Sequence, residues 1–339
     1  MSQKKSVYIA YTGGTIGMRR GPNGYQPARG FLEQQMAQLP VLASADMPSY
    51  RIHEYEPLLD SSNMSPADWV KLGRDIISRY DRYDGFIVLH GTDTMAFSAS
   101  ALSFMFDNLG KPIVFTGSQI PLCEVRTDAR ENLITSLLIA AHHPIPEVSL
   151  FVGHQLLRGN RATKVSAKRF LAFSSPNYPA LGEAGVELVI NPGRQLPTPC
   201  EPVSLHEVGQ AQVADLRIFP GITPETLEGF LGPLQGAVLH TYGAGNAPDR
   251  PELLEVLRRA SERGVVLVNC TQCLEGSVNM TDYATGNALR EAGVISGFDM
   301  TPEAALTKLY YLLSRDLDPD EIRQLMQQNL RGELSRRLG

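Results

Sequence analysis

The stretch "GFIVLHGTDTMAFSASALSFM" (residues 85–105) decides how this chain folds. Gly85–Leu89 is a short apolar run with Ile and Val, bounded by a turn signal, and it predicts a buried strand. His90–Thr94 supplies a small polar turn, and the apolar stretch after it predicts a helix running towards Leu109. Strand, glycine-bearing turn and helix in that order are the first half of a βαβ unit.

The same alternation repeats on both sides. Ser6–Tyr11 reads as a strand, and Ser65-Pro66-Ala67-Asp68 opens a helix with an N-cap serine and proline at its first position. Trp69, Leu72, Ile76 and Tyr80 supply its apolar face at spacings of three and four. Ile113–Thr116 and Val148–Val152 are further strands, with a helix through Asn132–Ala141 between them. "NPGRQLPTPCE" (191–201) has three prolines and little periodicity, and marks the start of a linker. Beyond it lie a strand at Ala237–Tyr242, a helix at Pro251–Arg263 stopped by Gly264, and a strand at Val265–Asn269. Two capped helices follow, one opening at Thr301-Pro302 and one at Asp318-Pro319-Asp320-Glu321, a capping-box pattern. The expected fold is α/β. A larger N-terminal domain (1–190) holds a mostly parallel sheet flanked by helices. A linker (191–212) leads to a smaller C-terminal α/β domain (213–339).

Composition narrows the function. The chain has 339 residues, 43% of them hydrophobic and 20% charged, as expected of a globular protein of two domains. With 31 basic against 36 acidic residues its formal charge is -5, which argues against nucleic-acid binding. No run approaches the ~18 apolar residues of a membrane span. The apolar stretch after Lys5 ends by Thr12, short of an export-signal core of about 7–15 residues, so a cytoplasmic location is expected. Four cysteines are too few for a disulfide scaffold, and the lone Cys270-x-x-Cys273 lacks the second pair or histidines of a zinc site. No metal cluster and no nucleotide loop appears, so neither metal nor cofactor is expected.

Four predicted strands end in small turns bearing hydroxyls or amides: "TGGT", "HGTDT", "TGSQ" and "TYGAGN". Ligands of open α/β sheets bind beyond the carboxyl ends of the strands, so these loops are expected to line one crevice. Thr15 and Thr92 stand on separate glycine turns, with Asp93 beside the second. A threonine hydroxyl becomes a nucleophile only when a neighbour takes its proton, and Lys164 in "RGNRATK" is the candidate. His90 is the one histidine in these loops, either a hydrogen-bonding support or a catalytic group. The residues alone therefore point to acyl transfer, alongside the plainer readings of turns and a solvated lysine.

"YTGGTIG", "HGTDTMAFSASAL", "TGSQIPL", "RGNRATK", "TYGAGNAP" and "NCTQC" resemble the blocks of bacterial-type L-asparaginases over essentially the whole chain. "DSSNM" and "NLRGEL" resemble the cytoplasmic type I branch. The resemblance implies hydrolysis of L-asparagine to L-aspartate and ammonia, with two hydroxyl-centred triads. Thr15 would be the nucleophile, covered by Tyr25 from the lid-like "RRGPNGYQP". Thr92, Asp93 and Lys164 would activate the nucleophile or a water. Asp60, Ser61 and Ser62 would meet the α-carboxylate and ammonium, and Asp93 the ammonium. The Thr92 N–H would hold the oxyanion, and the Ser118 carbonyl would receive the departing nitrogen. Asn246 would reach a neighbouring subunit's site, which implies a homo-oligomer, a dimer or a dimer of dimers. No acid of this chain clearly matches the glutamate that periplasmic relatives lend to a partner subunit, the nearest being Asp282. A second, allosteric asparagine site would be built from His240, Thr271, Gln272 and Cys273, and would tighten as falling pH charges the histidine. Two other readings are an ammonia-releasing amidotransferase subunit and a noncatalytic amino-acid sensor. The first would carry an extra N-terminal module ahead of the TGGT block, and the second would lack Thr15, Asp93 or Lys164.

Overall fold

A computed structural model describes residues 4–22, 24–281 and 284–335. By contact the chain divides into two units. One comprises the chain through Ser175 together with Pro179–His206, and the other comprises Pro176–Tyr178 with the chain from Glu207 onwards. The expected linker 191–212 spans this division. Within the first unit, its residues Ser204–Leu205 pair antiparallel with Phe106–Asp107.

The first unit is built on an eight-stranded sheet. Its strands are β1 (Ser6–Gly13), β2 (Ser49–Leu59), β3 (Gly85–Leu89), β4 (Ile113–Thr116), β5 (Val148–Val152), β6 (Gln155–Arg158), β7 (Gly182–Ala184) and β8 (Leu188–Ile190). The order is β8-β7-β6-β5-β4-β3-β1-β2. Strands β1 to β5 are parallel, and the β5–β8 edge continues antiparallel. β3, β4 and β5 are buried along their whole length, as helix-covered parallel strands require. The chain leaves β1 for β2 on one side and returns to β3 on the other, so the strand order reverses around β1. That reversal opens a crevice at the carboxyl ends of β1, β2 and β3.

Helices α1 (Phe31–Ala37), α2 (Pro66–Ile77), α3 (Met95–Met105) and α4 (Ala129–His142) belong to this unit. α2 starts where Ser65 donates from both N and Oγ to Asp68 Oδ2, at 2.9 and 2.6 Å. Trp69, Leu72 and Ile76 bury its inner face as expected. Tyr80 is also buried but lies past the helix, in the short turn Tyr80–Arg82. α3 is buried nearly all round, which explains why its sequence shows little polar face.

The second unit has four parallel strands in sequence order: β9 (Val213–Arg217), β10 (Gly236–Thr241), β11 (Val266–Thr271) and β12 (Val294–Ser296). Helices α5 (Pro224–Leu231), α6 (Pro251–Glu262), α7 (Ala284–Glu291), α8 (Pro302–Leu313) and α9 (Pro319–Met326) accompany them. Leu253, Leu257 and Ala260 of α6 join Ala237, Leu239 and Leu267 in one apolar core. Among the described residues, no helix is long and apolar enough to cross a membrane.

Candidate active site

Backbone packing brings the loops together before any side chain does. Gly14, in the turn after β1, has φ 88°, and a Cβ there would lie 2.4 Å from Gly91 N. A Cβ on Gly91 would lie 2.5 Å from Ser61 Oγ. Only hydrogen at these two positions lets the turns after β1, β2 and β3 touch, so both glycines are dictated by proximity. Thr94 Oγ1 then donates to the Ser61 carbonyl at 2.7 Å, tying the loop after β2 to the loop after β3.

Three of the expected residues form one cluster. Lys164, paired through Thr163–Lys164 with Phe173–Ser174, donates from Nζ to Thr92 Oγ1 at 2.9 Å and to Asp93 Oδ1 at 2.5 Å. Thr92 is buried, whereas the Asp93 side chain is 65% exposed. One carboxylate oxygen thus holds the ammonium while the side chain still opens to solvent. Thr15 begins the short Thr15–Gly17 turn and is half-buried. Ser61 is buried in the turn that follows β2, where Asp60 Oδ1 accepts from Ser62 N at 3.0 Å and from Ser62 Oγ at 3.1 Å. Asp60 and Ser62 thereby shape the loop that presents Ser61.

The loop after β4 is held from beneath. Ser118 Oγ donates to the Ile120 carbonyl at 2.7 Å. The Asp128 carboxylate accepts from the backbone N–H groups of Gln119 and Ile120, at 3.0–3.1 Å. Asn132 donates to the Gly117 carbonyl and accepts from Gly153 N–H, each at 2.9 Å. The sequence reading missed these supports. The signal was present in "TGSQIPLCEVRTDARENL", where two short polar side chains sit at the start of α4 facing back to the loop.

Tyr25 differs from expectation. It stands on a two-stranded ribbon, Met18–Gly21 with Gly24–Pro27, and its phenol donates to Glu124 Oε1 at 2.8 Å rather than to Thr15. This contact raises its pKa, because losing the proton would place two negative charges together. His90 is fully buried, and desolvation lowers it to about 4, which keeps the imidazole neutral. It bonds Gly91 O and Ser98 Oγ, so it supports the loop rather than facing the crevice.

The remaining expected residues belong to the second unit. Asn246 pairs with Tyr242 through the backbone, and its Oδ1 accepts from Thr285 Oγ1 at 2.6 Å. His240 Nε2 bonds Asp215 Oδ1. Gln272 Nε2 donates to the carbonyls of Ile218 and His240, at 2.6 and 2.8 Å. Thr271 Oγ1 donates to Gly243 O at 2.6 Å and accepts from Cys273 N at 3.0 Å. Asp215 therefore occupies the charge that the sequence reading reserved for an effector's carboxylate. Asp282 lies outside the described residues. Burial pushes the Cys270 thiol up to about 12, while Cys273 is exposed. Among the described residues, no group of three His, Cys, Asp or Glu could hold a metal ion.

Hydroxyls, a carboxylate and an ammonium gathered at the carboxyl edge of a parallel sheet, around backbone-packed glycine turns, define an α/β enzyme site for polar small molecules. Residues 6–195 match the family domain "Asparaginase, N-terminal", and residues 212–326 match "Glutaminase/Asparaginase C-terminal domain". The chain belongs to the asparaginase family. It is 53% identical over 339 residues to L-asparaginase 1 of Escherichia coli K12, covering 98% of this chain and 99% of that one. The structure of L-asparaginase I from Vibrio cholerae superposes with a TM-score of 0.92 at 51% identity, over 98% of this chain and all of that one. The thermostable L-asparaginase of Thermococcus kodakarensis gives 0.88 at 34% identity, with 98% and 100% covered.

Proposed function

We propose that the protein is an L-asparagine amidohydrolase, converting the side-chain amide to L-aspartate and ammonia. The observation that carries the reading is the Lys164–Thr92–Asp93 cluster, with one ammonium reaching Thr92 Oγ1 at 2.9 Å and Asp93 Oδ1 at 2.5 Å. In this reading the Thr15 hydroxyl attacks the amide carbon, and its proton leaves with the amide nitrogen as ammonia once the C–N bond breaks. Water then attacks the Thr15 ester, returns a proton to Oγ1 and frees aspartate. Thr92 takes the Thr15 proton as it gives its own hydroxyl proton to the departing nitrogen, and the Lys164 ammonium steadies the charge on Thr92 Oγ1 during the exchange. Asp93, exposed and single-charged, suits the substrate ammonium, and the buried Ser61 hydroxyl suits its carboxylate. Tyr25 would leave Glu124 to cover Thr15 when substrate is present.

We further place the enzyme in the cytoplasm as a homo-oligomer, with Asn246 entering a neighbour's site. An effector site at His240, Thr271, Gln272 and Cys273 would have to displace Asp215 before it could take a carboxylate.

Ammonia release from L-asparagine by the purified protein tests the reading, with Lys164→Met as its partner. Loss of an acid–base group is expected to cut kcat by at least ~10²-fold. Near-normal turnover by Lys164→Met would remove the cluster from the mechanism.

A further inference from the structure

We propose that Trp69, Ser98 and His90 form a fixed donor relay that aims the Thr92 N–H into the crevice as the oxyanion donor. The proposal rests on the reading above, in which that N–H meets the amide oxygen of the substrate.

The direction of the relay follows from what each group can do. An indole N–H only donates. Trp69 Nε1 donates to Ser98 Oγ at 3.0 Å, which leaves the serine its own proton to give. Ser98 Oγ lies 2.9 Å from His90 Nε2, and the serine donates there. Nε2 then has no proton, so the neutral ring carries its proton on Nδ1, 2.7 Å from the Gly91 carbonyl oxygen. The opposite tautomer would turn two lone pairs towards each other at that distance and leave the serine proton without an acceptor in the relay. All three side chains are buried, with His90 and Ser98 at 0% exposure, so water does not compete.

The Gly91 carbonyl and the Thr92 N–H belong to one planar trans peptide and point in opposite directions. Holding the carbonyl therefore holds the N–H. Gly91 needs that help. Its lack of a side chain is required by Ser61, whose Oγ would lie 2.5 Å from a Cβ, yet glycine is the most conformationally free residue. The relay stiffens a peptide that the close loop packing would otherwise leave soft, and the bond to the carbonyl also strengthens the N–H as a donor. Among the described residues the Thr92 N–H has no acceptor, although Thr92 is 8% exposed. An N–H with no acceptor in the protein is open to a ligand oxygen.

The test compares three substitutions at His90. His90→Leu removes the donor. His90→Asn places an amide N–H near the position of Nδ1, and His90→Gln places one near Nε2. A misaimed oxyanion donor weakens only the transition state, so His90→Leu and His90→Gln are expected to lower kcat about tenfold with KM within about twofold. His90→Asn should recover most of the loss. A structural support would give no such split between Asn and Gln. Nitrogen-15 spectra of wild type, with the His90 signal identified by its loss in His90→Asn, should show a bare Nε2 and a protonated Nδ1 from pH 5 to 8. Should His90→Leu fail to fold, Ser98→Ala carries the same kcat-against-KM comparison. Equal kcat for the Leu and Asn variants, a loss confined to KM, or a protonated Nε2 would overturn the relay. Wild-type protein that released no ammonia from asparagine would instead sink the functional reading, and the tautomer would still decide whether the relay exists.

Discussion

Replacing Gly14 with alanine is expected to disable the enzyme without dismantling it. Gly14 has φ 88° and ψ 173°, a region essentially reserved for glycine, so alanine costs about 1–3 kcal/mol in backbone strain. Its Cβ would sit 2.4 Å from Gly91 N and 2.5 Å from Gly91 Cα, where ordinary contact begins at 3.4 Å. Neither neighbour is a flexible side-chain end, so the two turns must part by about the difference, 3.4 − 2.4 = 1.0 Å. Thr15 rides on one turn and Thr92 on the other. A misplacement of ~1 Å between reacting groups costs roughly 10²-fold, or ~2.7 kcal/mol of barrier. The assay is kcat for ammonia release, with thermal melting by circular dichroism to verify folding. Gly221→Ala serves as the control, because Gly221 has φ 95° with nothing within 4 Å of a Cβ. It should show strain in the melt and unchanged kcat. A folded Gly14→Ala protein turning over within threefold of wild type would refute the argument that backbone contact sets the site.

Asp93→Asn should impair asparagine far more than an amide substrate lacking the α-ammonium, since only the ammonium needs a full negative charge. Equal losses on both would give Asp93 a structural role. His90, held at about 4 against an ordinary 6.5, binds its proton more readily in the unfolded chain. Its contribution to stability is therefore complete above pH 6.5 and is lost as pH falls towards 4. The lost contribution is on the order of 3 kcal/mol, and His90→Asn should flatten this part of the melting profile. Identical slopes in the two proteins would rule the effect out. Cys270, buried and pushed up to about 12, should resist alkylation at pH 8 in the native protein while the exposed Cys123, Cys200 and Cys273 react. Mass spectrometry of peptides reads the difference, and Cys270→Ser should leave turnover intact.

The elements that the sequence showed most clearly are those whose signal is local. β3, β4 and β5 are short runs buried on both faces, so every position had to be apolar or small, and the pattern is visible without knowing the partner strand. The helix read at Asn132–Ala141 runs Ala129–His142, because the polar groups of Asp128 and Asn132 at its start are turned to the loop before it and carry no apolar period. The antiparallel edge β6–β8 escaped notice because strands of three or four residues are too short to display a period.

The candidate site divides in the same way. The sequence by itself determined which residue types are at hand: hydroxyls, an acid, a lysine, and glycines on turns that end parallel strands. Only the tertiary structure decided which of them meet. Lys164 reaches Asp93 across 71 residues, and Trp69 reaches Ser98 across 29. Tyr25 turns to Glu124, 99 residues away, and His240 to Asp215. Spacing along a chain constrains contacts within a helix or across a hairpin. Contacts between loops are set by strand order, and strand order emerges only when the whole sheet buries its faces at once.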